Sequence, residues 1–65
     1  MKAQQLKYTV CTVEAIGGVW YLRRRLATFS SLADAEDYAN RKRGGDIAVV
    51  ESSRILWDQD KRIRQ

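Results

Sequence analysis

Apolar and polar positions alternate in two neighbouring runs near the start of the chain. The runs are KYTVCTVEAI at 7–16 and VWYLRRRLATF at 19–29, and Gly17 and Gly18 separate them. Both runs are rich in the β-branched and aromatic residues typical of strands. Glycine supplies the positive φ of tight primed turns, so the pattern predicts a β-hairpin.

Three consecutive arginines lie in the second run. Side chains alternate across a strand, so a regular hairpin register places Arg23 and Arg25 on one face together with Tyr21. Arg24 then points to the other face, among the apolar residues that include Leu22. Three interpretations of Arg24 stay open: it extends to the sheet rim, it lies at a β-bulge, or it contacts a partner.

The next stretch, SSLADAEDYANRKRGG at 30–45, has a helical pattern. Ser31 followed by Asp34 resembles a capping box, and a narrow alanine-rich stripe would face the sheet. Acids precede bases along the helix, with an i,i+4 pair between Asp37 and Arg41, which is the charge order that the helix dipole favours. The basic cluster at its end is therefore either helix chemistry or a binding surface. Its members are Arg41, Lys42 and Arg43, before a predicted end at Gly44 or Gly45.

The sequence DIAVVESSRILWDQD at 46–60 predicts a second hairpin. A turn at Ser52 and Ser53 would pair Glu51 with Arg54 as an exposed ion pair. The whole pattern predicts an α+β fold in the order ββαββ, a four-stranded antiparallel sheet with one helix packed on one face. We expect the helix on the side of three residues of the first hairpin, Val13, Trp20 and Leu22.

Both faces of the second hairpin are apolar, and one helix covers only one face. The other face would then carry an exposed apolar patch, which usually marks an interface, although small sheets also expose single valines and isoleucines. A 65-residue chain has little core of its own. We therefore expect a homodimer, packed sheet to sheet or by edge pairing. The candidate dimer-interface residues are Tyr8, Val10, Ile47, Val49 and Leu56.

The formal net charge of +4 is unevenly distributed. Three bases lie in KRIRQ at 61–65, and without them residues 1–60 hold nine basic and eight acidic residues. The sequence thus predicts a single domain over 1–60, nearly balanced in charge, and a basic C-terminal tail over 61–65. The hydrophobic content of 45% is that of a globular chain rather than a disordered one.

Few residues suit catalysis or metal binding. The chain has no histidine and one cysteine, Cys11, which excludes a disulfide within the chain and makes a zinc site improbable. In the middle of a strand, Cys11 is expected to be a small buried apolar residue rather than a nucleophile. We expect no enzyme activity, no cofactor, no metal and no small-molecule substrate.

Location follows from the same composition. No run approaches the about 20 apolar residues of a membrane-spanning helix, and the first ten residues lack the apolar block of a signal peptide. With an unpaired cysteine, this favours a reducing cytoplasm and no membrane partner.

Binding of another macromolecule is the function that remains. Arginine and aromatic residues around an apolar centre are typical of protein interfaces, and such a module would engage or block its partner. The alternative is a nucleic acid, bound by the basic sheet face and the tail, although the near-neutral domain lacks a strong basic bias. The candidate partner-binding or anion-binding residues are Tyr21, Arg23, Arg25, Arg41, Lys42, Arg43, Lys61, Arg62 and Arg64.

The central half of the chain resembles small bacterial and phage ββαββ domains of uncharacterised function. In these, a Gly-Trp hairpin precedes a helix that starts with F-x-S-x-x-x-A. The matching residues are Gly18, Trp20, Arg23, Phe29, Ser31 and Ala35. In length and lack of catalytic residues, the chain is also similar to small phage or mobile-element proteins, among them anti-CRISPR inhibitors of bacterial immunity. No functional residue carries over from this resemblance.

Overall fold

The computed structural model describes residues 6–42 and 45–64, which form one antiparallel sheet and one helix. The elements are β1 (Tyr8–Ile16), β2 (Val19–Phe29), α1 (Leu32–Arg41) and β3 (Ile47–Glu51), followed by a 3₁₀ turn at Ser52–Arg54. The strand order in the sheet is β2-β1-β3, so β1 is the central strand. The fold is α+β, in the order β-β-α-β.

The predicted four-stranded ββαββ arrangement is therefore wrong. The second hairpin does not form, because Ser52–Arg54 coil into a 3₁₀ turn that takes the chain away from β3. The expected ion pair between Glu51 and Arg54 is also missing. The Glu51 carboxylate instead accepts a hydrogen bond from Ser53 Oγ at 3.0 Å, and Arg54 Nε donates to the Arg64 carbonyl at 2.9 Å.

The first hairpin and its turn form as predicted. Gly17 and Gly18 have φ angles of 60° and 80°. These are left-handed values that a side chain disfavours, and two of them in succession characterise a type I′ turn. The register that this turn sets is regular as far as the pair Val13–Leu22.

Beyond Leu22 the register departs from the predicted one. Thr12 lies opposite Arg24, and Val10 lies opposite Ala27. In each case β2 contains one residue more than β1, first at Arg23 and again at Leu26. These are two β-bulges, which bend a strand and redirect its side chains.

The central strand β1 is buried on both of its faces over residues 9–13. We call the side of Val10 the helix face and the side of Cys11 the core face. Val10 and Cys11 are both 0% exposed, although their side chains point in opposite directions. Each face must therefore have its own cover.

Helix α1 covers the helix face. Phe29 lies opposite Tyr8, two residues from Val10 on the same side of the sheet, and its ring centroid is 5.4 Å from that of Tyr38 on α1. The expected position of the helix, on the Val13 side, is wrong. Only two residues separate β2 from α1, so the helix starts on the face to which Phe29 points. The Ser31 hydroxyl caps this start by accepting the Asp34 amide at 3.4 Å, as predicted.

Residues 55–64, here the C-terminal segment, cover the core face. Ile55 is buried in a cluster with Cys11, Val13 and Leu22, and Ile63 packs against that cluster. Residues 55 and 63 form an antiparallel bridge, so the segment folds back on itself. The described part of the predicted tail, 61–64, is hydrogen-bonded into this cover.

The same segment also covers part of the outer edge of β2. Leu22 donates its amide to the Lys61 carbonyl at 2.9 Å, and Ile63 donates to the Trp20 carbonyl at 2.8 Å. These bonds flank a bridge between Tyr21 and Arg62. The sheet therefore continues past β2 for a short distance and curves around the core face.

A buried hydroxyl links the central strand to the 3₁₀ turn. Thr9 is 1% exposed, and its Oγ1 lies 2.6 Å from Ser52 Oγ. A hydroxyl buried without a partner would cost free energy, so this bond fixes where the chain leaves β3.

Replacing Thr9 with Val should destabilise the fold. The change keeps the side-chain shape and removes the bond to Ser52, so we expect unfolding free energy to fall by about 1 kcal/mol. Thr28→Val is the matched control, because Thr28 lies opposite Thr9 on β2 and is exposed. Urea denaturation followed by circular dichroism measures both. Equal effects of the two changes would contradict the role given to the Thr9 hydroxyl.

Candidate interaction surface

The first bulge of β2 places Arg23 and Arg24 on the same side of the sheet. The Arg23 guanidinium lies 3.3 Å from the Glu14 carboxylate, and Arg24 lies opposite Thr12. Glu14 and Thr12 both point to the helix face, and directly opposed residues of antiparallel strands share a face. The expectation that Arg23 and Arg25 project together is therefore wrong, and Arg24 takes the place given to Arg25.

Tyr21 and Arg62 extend this group across the sheet. Tyr21 lies opposite Glu14 on one side and opposite Arg62 on the other. These three side chains thus form a row over β1, β2 and the C-terminal segment. We call the set of four residues Tyr21, Arg23, Arg24 and Arg62 the arginine surface.

The charges on the arginine surface are only partly neutralised. The Arg23 and Glu14 side chains are 63% and 47% exposed, so solvent screens their ion pair and its contribution to stability is small. Within 6–42 and 45–64, no carboxylate is in salt-bridge distance of Arg24 or Arg62. Two exposed cations therefore lie on the same face as the half-buried Tyr21 ring.

Arg25 lies on the opposite side of the sheet. It is paired with Cys11, and its guanidinium carbon is 5.8 Å from the ring centroid of Trp57. At this distance the cation is attracted by the face of the indole ring. Arg25 thus helps to hold the C-terminal segment on the core face and is not part of the arginine surface.

The predicted bases at the end of α1 make contacts within the helix. Arg41 pairs with Asp37 at 3.0 Å, which confirms the expected i,i+4 ion pair, and Lys42 Nζ lies 5.2 Å from the Tyr38 ring centroid. The helix ends at Arg41, before the predicted end, and Lys42 caps it. Arg43 lies outside the described residues.

Lys61 and Arg64 act through their backbones in the C-terminal segment. Lys61 has a φ of 61°, and its carbonyl accepts the Leu22 amide. The Arg64 amide donates to the Arg54 carbonyl at 2.7 Å. Both side chains are exposed.

Helix α1 crosses the face that carries four of the candidate dimer-interface residues. Val10 is fully buried, and Tyr8, Ile47 and Val49 are half-buried on the same face. Leu56 is half-buried in the C-terminal segment, where its amide donates to the Arg62 carbonyl. These residues therefore do not form an open sheet face.

The one cysteine is a core residue, as the sequence predicts. Cys11 is fully buried, and burial raises the pKa of its thiol to about 11. Its Sγ is 3.9 Å from the Ala48 carbonyl. A protonated and inaccessible thiol is a poor nucleophile.

Sequence reasoning left three interpretations of Arg24 open, and it missed the contacts that Trp57 and Ile63 make on the core face. The sequence did contain a signal for a bulge near Arg24. The regular register places the apolar Val10 opposite Arg25, and a bulge removes that mismatch. For Ile63 the signal was one apolar residue within a basic run. For Trp57, nothing in the sequence distinguishes a residue of a strand from a residue that packs over the core face.

Comparisons with known proteins identified no similar protein. No protein-family model, no curated protein and no solved structure matches this chain. In the described ranges, no helix has the length and apolar character needed to cross a bilayer.

The raised pKa of Cys11 should make stability depend on pH in the alkaline range. Between about pH 9 and pH 11 the unfolded thiol ionises while the folded thiol keeps its proton, so the unfolded state binds fewer protons and unfolding free energy falls as pH rises. We expect the wild type to lose up to about 3 kcal/mol more than Cys11→Ala over this window.

Denaturation of both proteins at a series of alkaline pH values measures that difference. Below pH 9 their unfolding free energies should differ by a constant amount. Parallel curves throughout the alkaline range would contradict the burial of the thiol.

Proposed function

We propose that this chain is a small, non-catalytic binding module that engages an acidic surface of a partner protein. The observation that carries the proposal is the grouping of Arg24 and Arg62, both without a carboxylate partner in the described ranges, on one face with Tyr21. Arginine forms charge-assisted, often bidentate hydrogen bonds with carboxylates, and tyrosine adds rigid apolar area beside them.

The position of these residues in the hairpin and at its bridge to the C-terminal segment supports a role in binding a partner. Tyr21, Arg23 and Arg24 are held by the hairpin, and Arg62 by its bridge to Tyr21. A rigid backbone lowers the ordering cost of binding, which leaves more of the contact energy for affinity. Tyrosine and arginine are also the residue types that most often dominate protein interfaces.

Glu14 favours a protein over a nucleic acid as the partner. Its carboxylate lies within the arginine surface, 3.3 Å from Arg23. A mixed-sign pattern suits a protein surface that brings both charges, whereas a phosphate backbone is repelled by the carboxylate.

A nucleic acid is the second candidate partner. It is favoured by Tyr21 beside arginines on a sheet, since an aromatic ring can stack on a base while guanidinium groups contact phosphates. Its binding would weaken steeply with salt because counterions are released, which distinguishes the two candidates.

Catalysis forms no part of the proposal. The chain has no histidine, and its one thiol is buried with a raised pKa. A module of this kind acts by occupying a surface, which includes blocking a partner as an inhibitor does. A cytoplasmic location fits the unpaired thiol of Cys11, and the resemblance to phage and mobile-element proteins stays a prediction.

Removing Arg24 and Arg62 should abolish most binding. We expect Arg24→Ala combined with Arg62→Ala to weaken binding of an acidic, tyrosine-containing peptide at least about tenfold, a loss of about 1.4 kcal/mol. Arg41→Ala combined with Lys42→Ala removes the same charge from the end of α1 and should leave affinity nearly unchanged. Fluorescence anisotropy with labelled peptide measures all three proteins.

The same titration with a single-stranded DNA oligonucleotide, at low and moderate salt, separates the two candidates. Tighter binding of DNA than of peptide, with a steep salt dependence that the double arginine change reduces, would replace the protein partner by a nucleic acid. Equal losses in both double variants would show that net charge, and not the arginine surface, governs binding.

A further inference from the structure

Among residues 6–42 and 45–64, no strand pairs with the outer edge of β3. Val13 donates its amide to the Asp46 carbonyl at 2.9 Å, and Ser52 donates to the Lys7 carbonyl at 2.9 Å. Hydrogen-bonded and non-hydrogen-bonded pairs alternate along an antiparallel ladder. Ala48 and Val50 therefore bond to β1, whereas the amides and carbonyls of three residues point away from it: Ile47, Val49 and Glu51.

The two edges of the sheet differ in how well they are protected against pairing with a further strand. The edge of β2 is bridged at Tyr21 by the C-terminal segment, and its ladder is broken by bulges at Arg23 and Leu26. Bulges, charges, prolines and covering segments are the usual means of protecting an edge. Strand β3, with the sequence IAVVE, has a regular register, contains no proline, and has one charged residue, Glu51 at its end.

A groove of about 540 Å³ lies on the core face beside β3. Its apolar lining includes Val13, Trp20 and Ile63, and Trp20 is 39% exposed. Asp46, before the strand, and Arg54, after it, also line the groove. The groove thus has an acidic end and a basic end, while Glu51 of β3 lies opposite Tyr8 on the helix face.

We propose that β3 of a second copy of this chain pairs antiparallel with this edge about a twofold axis. A register centred on Val49 places Val49 opposite its own copy and Ile47 opposite the partner's Glu51. All the outward-pointing groups of both strands then lie in hydrogen-bonded pairs. The two three-stranded sheets join into one continuous sheet.

Charge favours a second copy over an unrelated strand. In the antiparallel pair, each Asp46 comes to the end where the other copy has its Arg54, so the acidic and basic ends complement each other. A twofold pair of identical patches is also the commonest form of protein oligomer. This inference does not rest on the proposed function, because the arginine surface lies across the sheet from β3.

Amide hydrogen exchange in the wild-type protein tests the proposed pairing residue by residue. We measure exchange by NMR at low and high protein concentration, with mass from light scattering at each. The amides of Ile47, Val49 and Glu51 should exchange at least about tenfold more slowly in the concentrated dimer. The amides of Ala48 and Val50, bonded to β1, should be protected at both concentrations.

A monomeric mass at every concentration overturns the proposal, and it would leave a foreign strand as the occupant of the edge. A dimer whose outward β3 amides exchange at the same rate as in the monomer also overturns it. Neither result bears on peptide binding by the arginine surface, so the two proposals fail independently.

A charge reversal at the end of the edge gives a second test. Asp46→Lys puts like charges at the position where the other copy's Arg54 arrives, and because the residue is exposed we expect the variant to fold. We expect the dimer dissociation constant to rise at least about tenfold at low salt. Asp58→Lys makes the same change in the exposed turn of the C-terminal segment and should leave it unchanged. Equal shifts in both variants would overturn the proposed pairing.

Discussion

The burial of β1 on both faces is the constraint that shapes this molecule. Val10 and Cys11 are neighbours in sequence, point to opposite sides and are both fully buried. One helix covers only one face of a sheet, so the chain uses two different covers. Helix α1 lies on one side, and the short C-terminal segment lies on the other. Ala35 on α1 and Ile55 in the segment, both buried, mark these two contacts.

Local signals predicted the parts of the fold that local interactions determine. Two glycines with positive φ set the type I′ turn and the register next to it, and Ser31 sets the start of α1. The second cover depends on contacts between residues far apart in sequence. Residues 55–57 are a short apolar run of the kind found in strands, and the 3₁₀ turn after β3 directs them across the core face. Residues 47–50 are apolar on both faces of the sheet. The sequence predicted a cover, helix α1, for only one of these faces, so the other face was expected to be exposed.

The sequence predicted most of the residues of the candidate site, but it did not predict which of them lie on the same face. Tyr21, Arg23 and Arg62 were identified from the sequence, and their side chains do share a face. In a regular strand, however, Arg24 and Arg25 would each lie on the face opposite to the one observed. The extra residue at Arg23 exchanges the faces to which the following side chains point, and the extra residue at Leu26 restores the regular order. That reversal brings Arg24 into the group and sends Arg25 to Trp57. A single inserted residue thus decides on which face of the sheet Arg24 and Arg25 lie.

The unequal edges of the sheet also determine how far any strand pairing can extend. A sheet with two regular, uncovered edges can add copies without limit, which is the geometry of a fibre. Here the edge of β2 is bridged near the turn and irregular at Arg23 and Leu26, so the regular ladder for a further strand lies along β3. One pairing event uses that ladder completely. If the proposed pair forms, the bulges of β2 that set the faces of the arginines also limit β-sheet growth to that closed pair.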